Sequence, residues 1–303
     1  MLEYSVSSGT PSYTVVMPVF NQELIISSVL RCLLNSASLP FDLYIINDAS
    51  SDQSLLKIRE FIGNIITSPK LTKVRTIKIF DNVAPLFETA CDNIGFREAN
   101  TEYIFELQAD IKIYHYGFDW MMIAALEKYN FGTISGRMVH SFDLLPATDW
   151  KNYPLDKLLM KIGIVSTHEG LIGRNTFTPD SGGEGWIRNK PDYCYAGETC
   201  ARGPLLFRKK DLELLNYLDE KNFFLGNDDH DFNRRLYQLD GRVAGYLPIK
   251  IKSDPRHGAT RRPRSGLNAN IFIENSLSKT GSTSFKNFLK AYKPYQPIVK
   301  LKF

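Results

Sequence analysis

Long apolar runs are missing from this chain of 303 residues. None approaches the ~18 consecutive apolar residues that a membrane-spanning helix needs. The opening Met1-Leu2-Glu3-Tyr4-Ser5 has no basic start followed by an apolar block, so a secretory signal is not expected. No Asn-x-Ser/Thr sequon occurs, in keeping with a chain not glycosylated in a secretory lumen. Cysteine is scarce, with four residues. Cys32 and Cys91 fall on apolar helix faces and read as buried thiols. Cys194 and Cys200 are too far apart for a compact zinc knuckle. A disulfide between them is one reading; two free thiols in a reducing cytosol is the simpler one. A cytoplasmic protein is expected. No Gly-x-Gly-x-x-Gly follows the first apolar strand, which counts against a dinucleotide-dependent oxidoreductase. Internal repeats and low-complexity segments are also lacking.

What is present is an ordinary globular composition, 43% hydrophobic and 23% charged. The length suits one large domain or two small ones. Charge is unevenly placed. From Lys250 to the end, 12 Lys and Arg face only Asp254 and Glu274, a local net of +10, while the first 249 residues carry −6. Such a tail suggests an anionic partner: a diphosphate, an acidic polymer or an anionic membrane surface touched peripherally. A solvated face that aids solubility is the alternative. No nucleic-acid partner is expected.

Apolar runs and helical spacing alternate along the first half. Tyr13–Val19, Leu43–Ile46, Val74–Phe80 and Tyr103–Leu107 read as strands. Helices are expected over Glu23–Leu34, from Asp52 to Ile62, and from Pro85 to about Ala99. This rhythm predicts an α/β sandwich with a mainly parallel sheet. Residues 1–12 read as a loose arm. Residues 141–202, rich in aromatics, Gly and Pro, read as loops over a site. A strand over Leu205–Arg208, helices over Lys210–Asp219 and Asp228–Leu239, and a strand over Arg242–Ile251 complete the pattern. From Asp254 onward the composition suggests a mobile segment.

Four segments carry chemistry. Tyr103-Ile104-Phe105-Glu106-Leu107-Gln108-Ala109-Asp110 is an apolar strand running into a carboxylate, where open α/β sheets bind ligands. Asp110 suits a divalent cation, or a simple turn. Asn47-Asp48-Ala49-Ser50-Ser51-Asp52 puts carboxylates where a base N–H or a ribose hydroxyl can be met, or where a helix is capped. Met17-Pro18-Val19-Phe20-Asn21-Gln22-Glu23 is the loop after the first strand. Asp228-Asp229-His230-Asp231 crowds three acids at a helix start. Mutual repulsion is expected to raise their pKa, which suits a general base; capping is the plainer alternative.

Together these segments resemble the family 2 glycosyltransferases. The opening Pro-x-Tyr-Asn of that family is matched by Pro18-Val19-Phe20-Asn21. Its Asp-Asp-Gly-Ser-x-Asp is matched by Asn47 to Asp52, and its Asn-x-Gly by Asn93-Ile94-Gly95. The metal motif Asp-x-Asp aligns on Gln108-Ala109-Asp110. The acceptor motif aligns on Asp228 through Arg235, and a late His on His257 in Pro255-Arg256-His257-Gly258. The resemblance covers roughly residues 13–260. Asn47 and Gln108 depart from it, each an amide where the family has an acid.

The resemblance implies a GT-A fold, a Rossmann-like sandwich, over residues 13–255, with a basic segment at 256–303 partly closing over the site. It implies an inverting, metal-dependent transfer of sugar from a nucleotide-diphosphate donor, a UDP-sugar by default, to a hydroxyl of a glycan or other acceptor. Asp229 would be the base. Pro18, Phe20, Asn21, Glu23, Asp48, Asn93, Gln108 and Ala109 would line the nucleotide. Asp110 and His257 would hold Mn2+ or Mg2+. Arg256, Arg261, Arg262 and Arg264 would fold over the phosphates, or form a solvated loop. Asp228, His230 and Trp186 would meet the acceptor, Trp186 by stacking unless it is a core residue. A nucleotide-sugar or glycan-binding module that has lost catalysis is the second reading, hinted at by Gln108.

Overall fold

Apolar side chains alternate between two faces along the first strands, and that alternation calls for a helical layer on each side. The computed structural model describes residues 1–6, 9–66, 73–140, 192–221, 223, 228–253 and 299–303. Its elements begin with β1 (Leu2–Ser5), β2 (Tyr13–Val19), α1 (Ile26–Ser36), β3 (Phe41–Asn47), α2 (Ser54–Ile66), β4 (Val74–Asp81) and α3 (Glu88–Glu98). Next come β5 (Tyr103–Glu106), β6 (Ile111–Ile113), α4 (Phe118–Lys128), β7 (Thr133–Ser135) and β8 (Val139–His140). After the undescribed stretch follow β9 (Tyr193–Gly197), β10 (Thr199–Cys200), β11 (Leu205–Arg208), α5 (Lys209–Leu214), α6 (Asp228–Asp240), β12 (Ala244–Tyr246), β13 (Ile251–Ser253) and β14 (Val299–Lys302).

Ten strands form one sheet in the order β1-β4-β3-β2-β5-β11-β7-β12-β9-β14. The strands β4, β3, β2 and β5 run parallel, as the alternation of strands and helices predicts. Antiparallel β1 and β11 extend this block on either side. Tyr13, Val15, Met17 and Val19 of β2 face one way, into a core shared with Val29 and Leu33 of α1, Ile58 and Ile62 of α2 and Met122 of α4. Val16, Tyr44, Ile46 and Ile104 face the other way, toward Phe96 of α3 and Phe232 and Leu236 of α6. The architecture is therefore a three-layer α/β sandwich. Gly95 lets α3 press on the sheet: a Cβ there would stand 2.4 Å from Val16 Cγ1.

Several local expectations are corrected. Leu2–Ser5 is an edge strand on β4, not loose, because its backbone satisfies that edge. The first helix starts at Ile26 rather than Glu23, since Glu23 is bound up with the next loop. Pro85 does not open α3; Asp48 takes the N–H groups of Leu86 (2.6 Å) and Phe87 (3.0 Å) and holds them in a loop. The helix expected over 210–219 covers Lys209–Leu214, because Asn216 and Tyr217 adopt left-handed backbone and Leu218 N–H goes to Asn93 Oδ1. The run 242–251 is two strands split at Pro248, which has no N–H for a ladder. Part of the expected loop region, Tyr193–Gly197 and Thr199–Cys200, is strand. All four cysteines are free, as the simpler reading holds, but Cys32 is only half-buried.

Replacing Gly95 with Ala is expected to overpack the contact with Val16 and Ile46 and to lower unfolding free energy by about 1–3 kcal/mol. Urea unfolding followed by circular dichroism measures it, and an unchanged midpoint would mean that α3 can shift without cost.

Candidate active site

Parallel strands end together, so the loops after β2, β3 and β5 share one edge of the sheet. Pro18 pairs with Ile46 beyond the last β2–β5 pair, where its missing N–H costs no ladder bond. Phe20 is buried just after it. The first two loops are stapled to each other. Asn21 Oδ1 accepts from Ser51 N–H (2.8 Å), Ser54 Oγ accepts from Gln22 N–H (2.6 Å), Asp52 Oδ2 accepts from Glu23 N–H (3.0 Å), and Glu23 Oε2 accepts from Gln53 N–H (2.9 Å). Asn21 and Glu23, expected to line a nucleotide, fasten the loops that would form its shelf.

Asp48 is buried and spends its carboxylate on Leu86 N–H, Phe87 N–H and the Asn82 amide at 3.2 Å. It shapes the loop 82–87, in which Phe87 takes a φ of 71°. Asn47 donates to Asp81 Oδ1 at 2.8 Å; an aspartate at 47 would meet that carboxylate with like charge. Asn93 is fully buried and is shared between the backbone of Leu218 and Glu220 Oε2, so it docks residues 218–220 rather than a nucleotide. Ala109 points into the core.

The acids of the α6 start do not crowd one another, because each has its own partner. Asp228 is fully buried and binds Thr89 Oγ1 (2.8 Å) and the Arg202 guanidinium. Asp231 pairs with Arg234 and Arg235 at 2.6 and 2.8 Å. Asp229 accepts from Arg202 N–H (3.0 Å) and His230 N–H (2.7 Å). Burial pushes the Asp229 carboxyl up, but His230, Arg202 and the two N–H groups outweigh it and hold its pKa below the usual value. The expected rise through repulsion is thus reversed, and Asp229 is an ionised carboxylate at neutral pH. His230 is buried with its ring Nδ1 on Thr199 Oγ1 at 2.9 Å. Asp228 therefore sits inside the support of the site, and Asp229 (6% exposed) is as buried as His230 (7%).

Four residues of this centre escaped the sequence reading: Glu88, Asp92, Glu106 and Arg202. The Arg202 Nη1 lies 2.9 Å from Asp92 and 3.1 Å from Glu88, and Nη2 binds Asp228. Glu88 Oε1 in turn accepts from Gln108 Nε2 at 2.9 Å. One polar chain thus runs from Gln108 through Glu88 and Arg202 to Asp228 and Asp229. Gly203 makes room for it: its φ is +90°, and a Cβ there would stand 3.0 Å from Gln108 Oε1. Glu106, at the end of β5, is 1% exposed, and Gly203 N–H faces its carboxylate without closing a well-formed hydrogen bond. Burial, opposed by Arg202 and helped by Glu88 and Asp229, pushes its pKa up to about 8. Burial and the neighbouring acids Glu106 and Glu88 likewise raise Asp92, against Arg202. The signal in the sequence was Ala201-Arg202-Gly203-Pro204, an Arg beside a Gly that admits unusual backbone and a Pro that restricts it.

Asp110 is half-buried in the turn that leads into β6. Among the described residues no three His, Cys, Asp or Glu side chains are grouped to hold a metal ion. The Gln108 amide nitrogen is committed to Glu88, which leaves its Oε1 and the Asp110 carboxylate as the oxygens of this motif, a donor set that does not by itself fit a cation. His257, Arg256, Arg261, Arg262, Arg264 and Trp186 lie outside the described residues.

Comparison with known proteins places this geometry. The model of "Glycosyl transferase family 2" matches residues 14–167. An uncharacterized glycosyltransferase of Haemophilus influenzae is 31% identical over 100 residues, which span 33% of this chain and 36% of that protein. The structure of GalNAc-T7 with UDP, GalNAc and Mn2+ superposes with a TM-score of 0.51 at 15% identity, covering 80% of this chain and 44% of that one. S. aureus TarS 1-349 in complex with UDP gives a TM-score of 0.49 at 14% identity, covering 79% and 59%. The chain thus spans only part of each of these proteins.

An acid raised by the fold binds its proton more readily folded than unfolded, so its contribution is full below the ordinary Glu value of 4.5 and is lost as pH climbs through about 8. Glu106→Gln is therefore expected to gain thermal stability relative to the parent across that window. A melting-temperature difference that stays constant from about pH 5 to about pH 9 would show that Glu106 does not titrate there.

Proposed function

The chain belongs to glycosyl transferase family 2, and we propose that it is an inverting glycosyltransferase acting on a nucleotide-diphosphate sugar. The GT-A type of sandwich described above is the fold of its structural neighbours. The donor is proposed to be a UDP-sugar, since the GalNAc-T7 structure holds UDP. The acceptor is proposed to offer a hydroxyl, on a glycan or another molecule.

The observation that carries this reading is the polar chain from Gln108 to Asp229. It ties the turn of the metal motif to the start of the acceptor helix, so a donor at one end and a proton acceptor at the other belong to one rigid unit. In the proposed step Asp229 takes the proton of the acceptor hydroxyl. The hydroxyl oxygen bonds to C1 of the sugar from the face opposite the leaving group. The bond from C1 to the diphosphate oxygen breaks, and its electron pair leaves with the diphosphate. Asp229 is unprotonated and two N–H bonds fix both its oxygens; the contacts that lower its pKa also make it a weaker base than the raised carboxyl expected from the sequence. Arg202 acts through its backbone as a positioning residue. The stapled loops 20–23 and 48–53, with the loop held by Asp48, are proposed as the nucleotide shelf.

A divalent cation, bound to the donor diphosphate, would supply charge neutralisation there. Asp110 is the proposed protein ligand, with His257 as its expected companion from outside the described residues. No step is assigned to the ion, because the described residues hold no complete set of ligands.

Asp229→Asn is expected to lower transfer by at least about 100-fold, the scale of a lost general base, while nucleotide-sugar binding stays within a few-fold. Equal loss of binding and transfer would remove Asp229 from the role of base. With Asp110→Ala, the thermal shift that a UDP-sugar gives with manganese should shrink toward the shift without it. An unchanged manganese increment would take Asp110 out of the metal site. Donor binding with no transfer to any acceptor tried would favour the binding-module reading.

A further inference from the structure

A carboxylate at the end of a parallel strand is placed to meet a ligand. Asp48 closes on the chain itself. It is 2% exposed; its Oδ1 accepts from Leu86 N–H and the Asn82 amide, and its Oδ2 accepts from Phe87 N–H. The loop it grips runs straight into α3, which begins at Glu88. Phe87, just before that helix, has a φ of 71° and a ψ of 170°, and no side-chain cap bond is made there. Glycine alone adopts that backbone without strain. Ala49, directly after Asp48, also has a positive φ, 53°. Unfavourable backbone thus lies on both sides of one contact. It persists only where the surroundings over-determine it, and here they include the three bonds of one carboxylate. Cys91, in the first turn of α3, is fully buried beside the same group; burial and then Asp48 push its thiol pKa up.

The start of α3 is also where this helix meets the Arg202 network. Glu88 joins Gln108 to Arg202, Thr89 holds Asp228, and Asp92 faces Arg202. Arg202 N–H and His230 N–H in turn fix the oxygens of Asp229. The bonds of Glu88 and Thr89 to Gln108 and Asp228 are 2.9 and 2.8 Å long. A shift of the helix start by about 1 Å would carry both beyond the range of a hydrogen bond. The grip on residues 86 and 87 therefore bears on Asp229, although Asp48 itself makes no bond to that residue among those described above.

We propose that Asp48 is a positioning residue for Asp229: it clamps the strained loop 82–87 and so sets the start of α3, with Glu88 and Thr89, instead of reading the donor base. Two distant loops of the site, the nucleotide shelf and the start of α6, are thereby coupled through one helix end. The inference deepens the proposed function and rests on it only for the role of Asp229.

Hydrogen–deuterium exchange of the full chain, without donor or acceptor, tests the coupling independently of the transferase reading. Asp48→Asn puts an amide NH2 against N–H groups that need an acceptor. Exchange should quicken about ten-fold or more, the scale of one lost hydrogen bond to a charged group. It should do so at Leu86 and Phe87 and also at Cys91, Arg202 and His230, whose N–H groups bond to Phe87 O and to Asp229. Adding Phe87→Gly removes the backbone strain that the clamp holds, so the double variant should regain protection at Arg202 and His230. Faster exchange confined to residues 86 and 87 would overturn the proposal, as would a double variant no better protected than the single one. Failure of both variants to fold would overturn it too, since Asp48 would then hold more than this loop. In transfer assays, Asp48→Asn should lower kcat about ten-fold or more, and Phe87→Gly should restore part of it. A loss confined to KM for the UDP-sugar would overturn the proposal in favour of direct contact with the base. Absence of transfer by the parent would count against the transferase reading and leave the exchange result to decide this one.

Discussion

One buried guanidinium holds the candidate site together. Arg202 is surrounded by Glu88 and Asp92 from α3, Asp228 from α6 and, at the end of β5, Glu106. Burial alone would push its proton off, but the carboxylates around it more than compensate and raise its pKa further. The reverse also holds. Without that charge, several acids would face one another in a volume with almost no water. Such a constellation is a poor source of net stability, because desolvation cancels most of the attraction. What it secures is geometry: removing either sign leaves a buried charge unmatched, so α3, α6 and the strand ends are held in one arrangement.

That arrangement explains why the acidic start of α6 behaves as it does. Three carboxylates in four positions would repel if they shared a direction. Instead Asp228 turns to Arg202, Asp231 turns back to Arg234 and Arg235, and Asp229 is left between with two backbone N–H groups. A cluster that looks frustrated in sequence is divided among the Arg202 guanidinium, the Arg234–Arg235 pair and backbone N–H groups, and the residue proposed as base is the one whose oxygens hydrogen-bond to backbone.

The parallel block was legible because burial on both faces forces apolar runs, and Val15–Val19 and Leu43–Ile46 show them, with Thr14, Asp42 and Asn47 as the polar residues of the two strands. The motif loops were legible by type and order. Their contacts were not, because polar side chains such as Asn21, Glu23 and Asn93 have many partners in reach, and only the folded chain selects one. Residues 85–87 were misread as helix for the same reason: nothing local announces that Asp48, 38 residues away from Leu86, will take its N–H. Arg202 was missed because its partners come from α3 and β5 far upstream as well as from α6, and no spacing rule links them.

The two departures from the family pattern now have a common form. At Asn47 an amide replaces an acid, and Asp81 from the adjacent strand stands 2.8 Å away. At Gln108 an amide replaces an acid, and Glu88 from α3 stands 2.9 Å away. In each case an acid at the motif position would confront that neighbour across a hydrogen-bond distance in a half-buried setting, at a cost in like-charge repulsion. The amide instead donates to it. Negative charge at both places comes from a neighbouring element, Asp81 of β4 and Glu88 of α3, rather than from the motif position itself. Glu88 also answers to Arg202. Gln108 Nε2 thereby belongs to the Arg202 network, which fixes the orientation of its amide beside Asp110.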